Sequence, residues 1–272
     1  MIVPARRAAR EARERLGLRL DQPIVDILTT VEDDAGVPVT VASLPRDFAG
    51  VVQFDGDQAY IFTNGDDPVV RQRFTLAHEY GHVCLGHGTV YDTLDLMFGN
   101  ESDEVDANEF AGEFLLPRAA LDAWLEHQED PAIDIEVVVR LARAFGVSAD
   151  VARIRLEKAG RLRKGTKAFK AVRDAITFGE HSRLHSQLQL GDYPDTLTVI
   201  RTDKTVAERV GAPSPLPRLP RTVSQRVRAV YASGLADLDE LAARTKQHVD
   251  RLRQDLADVE PPARGYADDD VF

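Results

Sequence analysis

Apolar residues recur every third or fourth position through most of this chain and every second position in only a few short runs, which predicts many helices around a small sheet. Helical spacing covers residues 5–17 and 22–35. Three strand-like runs follow at 37–43, 50–54 and 58–63. Asp55-Gly56-Asp57 joins the last two as a hairpin turn, because glycine accepts the positive φ such turns require. Asn64-Gly65-Asp66-Asp67-Pro68 is then a loop, with a proline where helices start, and a helix over 68–87 comes next. Further helices are predicted at 103–116, 118–126, 134–145 and 148–159, the first ending at Pro117. The fold class is therefore α+β, with a small antiparallel sheet beside helices.

Beyond residue 160 the pattern changes. RLRKGTKAFK, residues 161–170, reads as a basic linker broken by glycine, and DTLTVIR, residues 195–201, as a strand. Four prolines within residues 213–220 forbid regular helix or inner strand, and residues 222–258 look helical throughout. The chain thus divides into a first domain over 1–160, a mostly helical region over 161–258 and an acidic, disordered tail over 259–272. Helix-turn-helix spacing appears twice. The pair at about 138–159 turns at Gly146 with Ser148 as cap, but its second helix starts Ala149-Asp150 in an acidic half, so it reads as structural. The pair at 241–252 carries Lys246 where glycine normally turns the chain and reads as a hairpin for packing or dimerisation.

Charge divides with the pattern. Residues 1–160 hold 15 Lys/Arg against 29 Asp/Glu, a net of −14, whereas residues 161–272 hold 19 against 16, a net of +3. Leaving out the tail from residue 258, which has one Arg and five acids, raises the excess over 161–257 to +7. A basic region joined to an acidic one points to different partners for the two, with DNA among the candidates for the second. One cysteine rules out an intrachain disulfide. No apolar stretch reads as a signal peptide or membrane span, so the expected location is cytoplasmic. Glu11 and Glu14 argue that the Arg-rich start is a packed first helix and not a targeting segment.

The chemistry concentrates in His78-Glu79-Tyr80-Gly81-His82. Residues four apart on a helix are turned only about 40° from each other, so both imidazoles can face one metal ion while Glu79 sits beside it. A hydrolytic zinc site needs that arrangement: two neutral nitrogen ligands and a carboxylate that takes a proton from water. A third protein ligand is still required. In the second helical pattern Glu104, Asn108, Ala111 and Leu115 form one stripe, and Ala107, Phe110 and Phe114 a core stripe. Glu104 is assigned as the third ligand and Asn108 as the group that accepts a ligand's free ring N–H, with Asp106 pointing elsewhere.

RQRFTLAHEYGHVCLGH from Arg71, EVDANEFAGEFLLP from Glu104 and LARAFGVSADVARIRLEKAG from Leu141 resemble the ImmA/IrrE family of metallopeptidases over roughly residues 1–160. The resemblance implies a gluzincin-like fold and a zinc peptidase of the cytoplasm. Its substrate would be a helix-turn-helix repressor or an antitoxin, whose cleavage releases genes for stress response or mobile-element control. The mechanism that follows has zinc on His78, His82 and Glu104, and Glu79 as proton acceptor and donor. The competing class is a non-catalytic, metal-stabilised regulator or scaffold acting through residues 161–257; Glu79 favours the enzyme.

Other residues have plainer readings. His87 projects about 140° from His82 and reads as a surface or helix-end histidine. Cys84 reads as core, off the ligand face, and Tyr80 as facing away from the site. His127, His181, His185 and His248 lack zinc-site spacing. The strand at 58–64 is a candidate rail for an extended substrate.

Overall fold

The computed structural model describes residues 4–34, 36–42, 44, 48–87, 90–93, 102–129, 131–190, 221–245 and 247–259. The first helix, α1 (Pro4–Arg15), buries Ala5, Ala9 and Ala12 and holds Arg6, Arg10 and Arg15 against Glu109, Glu113 and Asp34. The next, α2 (Ile27–Asp33), is shorter than its apolar pattern. It starts where the Asp26 carboxylate accepts the Thr29 N–H at 3.0 Å and so caps the first turn.

Strands β1 (Val39–Ala42), β2 (Phe48–Asp55), β3 (Gln58–Asn64) and β4 (Val90–Thr93) form one sheet in the order β1-β3-β2-β4. β2 and β3 are the expected hairpin, turning at Gly56 with φ +58°. Two expectations are corrected. The sheet is mixed, because β1 runs parallel to β3, and it has a fourth strand, β4, antiparallel to β2. Alternating apolar positions decide which side chains face the core, as Val39 and its partner Ile61 do at 0% exposure, but they leave a strand's neighbour and direction open. β3 is consequently hydrogen-bonded on both sides, so it has no edge to offer a substrate.

Between β3 and β4 lies α3 (Val69–Leu85), and then come α4 (Ser102–Leu115), α5 (Arg118–His127), α6 (Ile135–Phe145), α7 (Ala149–Lys158), α8 (Lys167–Thr177) and α9 (Glu180–Gln187). α3 and α4 cross closely because Gly81 has no side chain: a Cβ there would meet the Phe110 ring at 3.0 Å. Two buried arginines lock the α6–α7 pair onto them. Arg73 donates to the carbonyls of Gly146 at 2.8 Å and Ile24 at 2.7 Å, completing the C-terminal end of α6, where the helix dipole favours a cation. Arg155 donates to the Leu116 carbonyl at 2.9 Å and pairs with the buried Glu113 carboxylate. The second helix of this pair thus turns a cation inward, and Arg153 lies over the Phe169 ring between Asp150 and Glu157. Neither arginine is presented for phosphate contacts.

The expected basic linker extends only as far as Thr166, whose hydroxyl accepts the Phe169 N–H at 3.2 Å and starts α8. Leu162, Val172 and Ile176 belong to the same buried cluster as Leu76 and Phe110. The division expected after residue 160 therefore falls inside a packed unit. A separate cluster, Val227, Ala236, Leu241, Ala242, Leu252 and Leu256, joins α10 (Arg221–Ala232), α11 (Leu238–Thr245) and α12 (Val249–Asp255). Their helical run is broken at Gly234, with φ +68°, and again before His248, which caps α12. The predicted strand at 195–201, the proline run at 213–220 and the tail from 260 lie outside the described residues. No described helix is long and apolar enough to cross a membrane.

Candidate metal centre

The start of α3 is tied to its preceding loop by the Gln72 amide, which donates to the carbonyls of Gly65 at 3.0 Å and Asp67 at 2.7 Å. From that fixed start, helical spacing carries His78, Glu79 and His82 to positions with no solvent exposure. The Nε2 atoms of His78 and His82 are 3.1 Å apart. α4 brings in Glu104, 4% exposed, with one carboxylate oxygen 3.2 Å from His78 Nε2 and the other 3.4 Å from His82 Nε2. Donor atoms of the three residues all lie within 4.8 Å of one another, and among the described residues no other His, Cys, Asp and Glu side chains converge in this way.

These residues fit a divalent ion. In a tetrahedral zinc site with bonds of about 2.0–2.2 Å, neighbouring ligand atoms lie roughly 3.3–3.6 Å apart. The three separations here are close to that spacing, and the donor set is the hard-to-borderline mixture that zinc accepts. A buried carboxylate packed against two imidazoles also needs a positive partner, which such an ion would supply.

Each histidine has support behind it. His78 Nδ1 faces the Asn108 side-chain oxygen at 3.2 Å, which leaves Nε2 as the donor to a metal. Asn108 is itself in the wall of a cavity of about 740 Å³ lined by Val70, Phe74, Val151 and Ile154. His82 Nδ1 faces His87 Nδ1 at 2.8 Å. The sequence reading made His87 a surface or helix-end histidine about 140° from His82; it does stand at the helix end, but the projected angle is corrected, since its side chain is 13% exposed and its ring lies 4.9 Å from that of His82. Helical projection fails because the helix has ended. Gly86 adopts φ +72°, and the His87 N–H returns to the His82 carbonyl at 3.0 Å, so the chain folds back over the last turn. The signal was the Gly86-His87 pair, glycine being the usual residue at such a stop.

Glu79 faces the sheet. A Cβ built on Gly50, in β2, would stand 2.4 Å from Glu79 Oε1 and 2.6 Å from Thr75 Cγ2. Bare backbone is therefore what lies over the carboxylate. Gly50 pairs with Thr63 on one side and Asp92 on the other, beside a bulge between Phe48 and Gly50 in the pairing of β2 with β4. Sequence reasoning missed Gly50, which resembles any strand residue until the helix beneath it is placed.

The remaining residues face elsewhere. Tyr80 is fully buried between Phe110 and Phe114, with its hydroxyl donating to Asp34. Burial holds that hydroxyl far above its ordinary pKa. Arg15, donating to both Asp34 oxygens at 2.7 and 2.6 Å, holds the Asp34 carboxyl below its usual value. Cys84 is half-buried against this group, and burial pushes its thiol up to about 11. Asp106 is off the ligand stripe. His127 points at the Ala123 carbonyl and His248 caps a helix, so neither is drawn into the centre.

Residues 32–157 match the family model described as the IrrE N-terminal-like domain, a family named for peptidases, and that span contains every residue of the centre. A Mycobacterium tuberculosis transcriptional regulator of known structure is similar at 21% identity with a TM-score of 0.41. The match covers 61% of this chain and 49% of the regulator, so the chain spans about half the length of that protein. No curated protein matches the chain.

Proposed function

Because residues 32–157 belong to the IrrE N-terminal-like family, we propose that this protein is a zinc-dependent endopeptidase of the cytoplasm that cleaves a regulatory protein, a helix-turn-helix repressor or an antitoxin. The observation that carries this reading is the placement of Glu79: a fully buried carboxylate next in sequence to His78, on the helix that carries two of the three converged donors, and covered by strand backbone at Gly50. A binding scaffold has no physical need for that carboxylate, whereas peptide hydrolysis does.

His78, His82 and Glu104 would hold a divalent ion, which would supply Lewis acidity toward a water molecule and a peptide carbonyl. The protein's own part is acid–base work and positioning. Glu79 accepts the proton of the attacking water on a carboxylate oxygen and delivers it to the leaving amine nitrogen. Asn108 holds the His78 ring so that its lone pair faces inward.

The substrate rail is reassigned from β3 to β4. Among the described residues no strand pairs with the outer edge of β4, and its inner edge is bonded to the strand that covers Glu79. An extended peptide added there lies two strand spacings, about 9.6 Å, from the Gly50 strand. Cleavage of the regulatory protein then releases genes for stress response or mobile-element control. The test is incubation of purified protein with a candidate repressor encoded beside it, comparing wild type with Glu79→Gln. The variant should retain zinc and lose cleavage by at least about a hundredfold. Equal cleavage by both would sink the mechanism, and a site that binds zinc without cleaving any such repressor would favour the regulator.

A further inference from the structure

The metal reading above requires both histidines to present Nε2 to the ion, so each must carry its proton on Nδ1, and each proton needs an acceptor. The acceptor for His78 is an amide oxygen. The acceptor for His82 lies outside the His-Glu-x-x-His motif. His87 Nδ1 is 2.8 Å from His82 Nδ1, and the two rings meet edge to face at 63°. Two ring nitrogens at that distance share one proton, and because His82 must keep Nε2 bare, His87 Nδ1 is the acceptor. His87 then carries its own proton on Nε2, the atom that faces Asp103 Oδ1 at 3.8 Å, a span one water can bridge.

We propose that His87 is a positioning residue, fixing the tautomer and ring orientation of His82 through an Asp103, His87, His82 relay. It touches neither the ion nor the reacting atoms. The relay depends on the end of α3, where the left-handed Gly86 puts His87 back over His82. The two ligands are therefore held differently: His78 from within the adjacent helix, and His82 from the turn that follows its own.

Because this inference rests on the metal reading, zinc affinity of the wild-type protein is measured first by competition with a chromogenic chelator. Absence of zinc binding overturns the metal reading and the relay with it. Given binding, His87→Ala should weaken zinc about 10- to 100-fold, the usual effect of losing such a partner. His87→Gln, whose side-chain oxygen can accept the same N–H, should recover most of that loss. The metal-free thermal midpoints of the two variants should fall by similar small amounts, so that the difference between alanine and glutamine appears in zinc affinity and not in stability. In ¹⁵N-edited NMR of the zinc-loaded protein, the His82 Nδ1–H should be protected from exchange in wild type and in His87→Gln, and should exchange rapidly in His87→Ala. Unchanged zinc affinity in His87→Ala, or a glutamine variant no better than alanine, would overturn the relay while leaving the metal site standing.

Discussion

Replacing Gly50 by alanine tests whether the sheet sets the position of the proton acceptor. The added methyl would stand 2.4 Å from Glu79 Oε1, where ordinary contact starts at 3.4 Å, so the carboxylate must retreat by about 1 Å or the strand must lift by a similar amount. The backbone at residue 50 lies in an extended strand, so alanine itself fits the chain path. Its unfolded-state advantage of about 0.4–1 kcal/mol partly offsets an overpacking cost of about 1–3 kcal/mol. Folding should therefore survive with a modest loss of thermal midpoint. Catalysis should not. A displacement of about 1 Å in a positioned group costs on the order of a hundredfold in rate, or about 2.7 kcal/mol in the barrier. The measurements are zinc content, thermal midpoint and kcat/KM for cleavage of the candidate repressor. Thr75→Ser removes the methyl 2.6 Å away and should not rescue the variant, because the contact with Glu79 remains. Combining Gly50→Ala with Glu79→Gln should cost little more than Glu79→Gln alone, since both changes act on one carboxylate. Full activity in Gly50→Ala, or losses that simply add in the double variant, would refute the coupling.

Glu104→Ala should purify without zinc while Asp106→Ala retains it, as atomic emission would show, and equal metal content would remove Glu104 from the ligand set. A chain ending near residue 160 should have a lower thermal midpoint than one ending near residue 190, because it lacks Val172 and Ile176, each side chain contributing about 1.5–3 kcal/mol when buried. Only the longer form should keep zinc at wild-type affinity; equal stability would show that α8 is an appendage. Asp34 has a folded pKa below its unfolded value, so its stabilising contribution is complete above the unfolded value near 4 and is lost as pH falls through the lower, folded one. Urea midpoints measured downward from about pH 5 should therefore fall less steeply in Asp34→Asn than in wild type, and parallel curves would contradict the assigned shift.

Residues related by a helical repeat were legible because the interiors of α3 and α4 are regular. His78, His82, Glu104 and Asn108 follow from steps of four residues on two helices, with no knowledge of how the helices meet. What stayed hidden depends on where regularity stops or on what lies across a gap. His87 belongs to a chain reversal, so a projection that continues the helix sends it the wrong way. Gly50 matters through the absence of a side chain opposite a helix distant in sequence. The parallel pairing of β1 was hidden because alternation is the same for either strand direction. α8 is a different kind of miss: Phe169, Val172 and Ile176 have helical spacing, but the basic residues around them suggested a solvated linker. The cations of such a helix line its outer face and say nothing against the inner one.

The environment of Cys84 turns the metal helix into its own reporter. Cys84 is the chain's single cysteine and sits two residues beyond a proposed ligand. At pH 8 an unfolded thiol with pKa near 8.5 is about one-quarter ionised, while a thiol at about 11 is ionised to about one part in a thousand. Since the thiolate is the reactive form, alkylation should run much faster once the end of α3 opens. A pulse of iodoacetamide followed by mass spectrometry then counts openings of this one helix. Added zinc should slow the labelling in proportion to its occupancy, which reads the strength of the site with no substrate in hand.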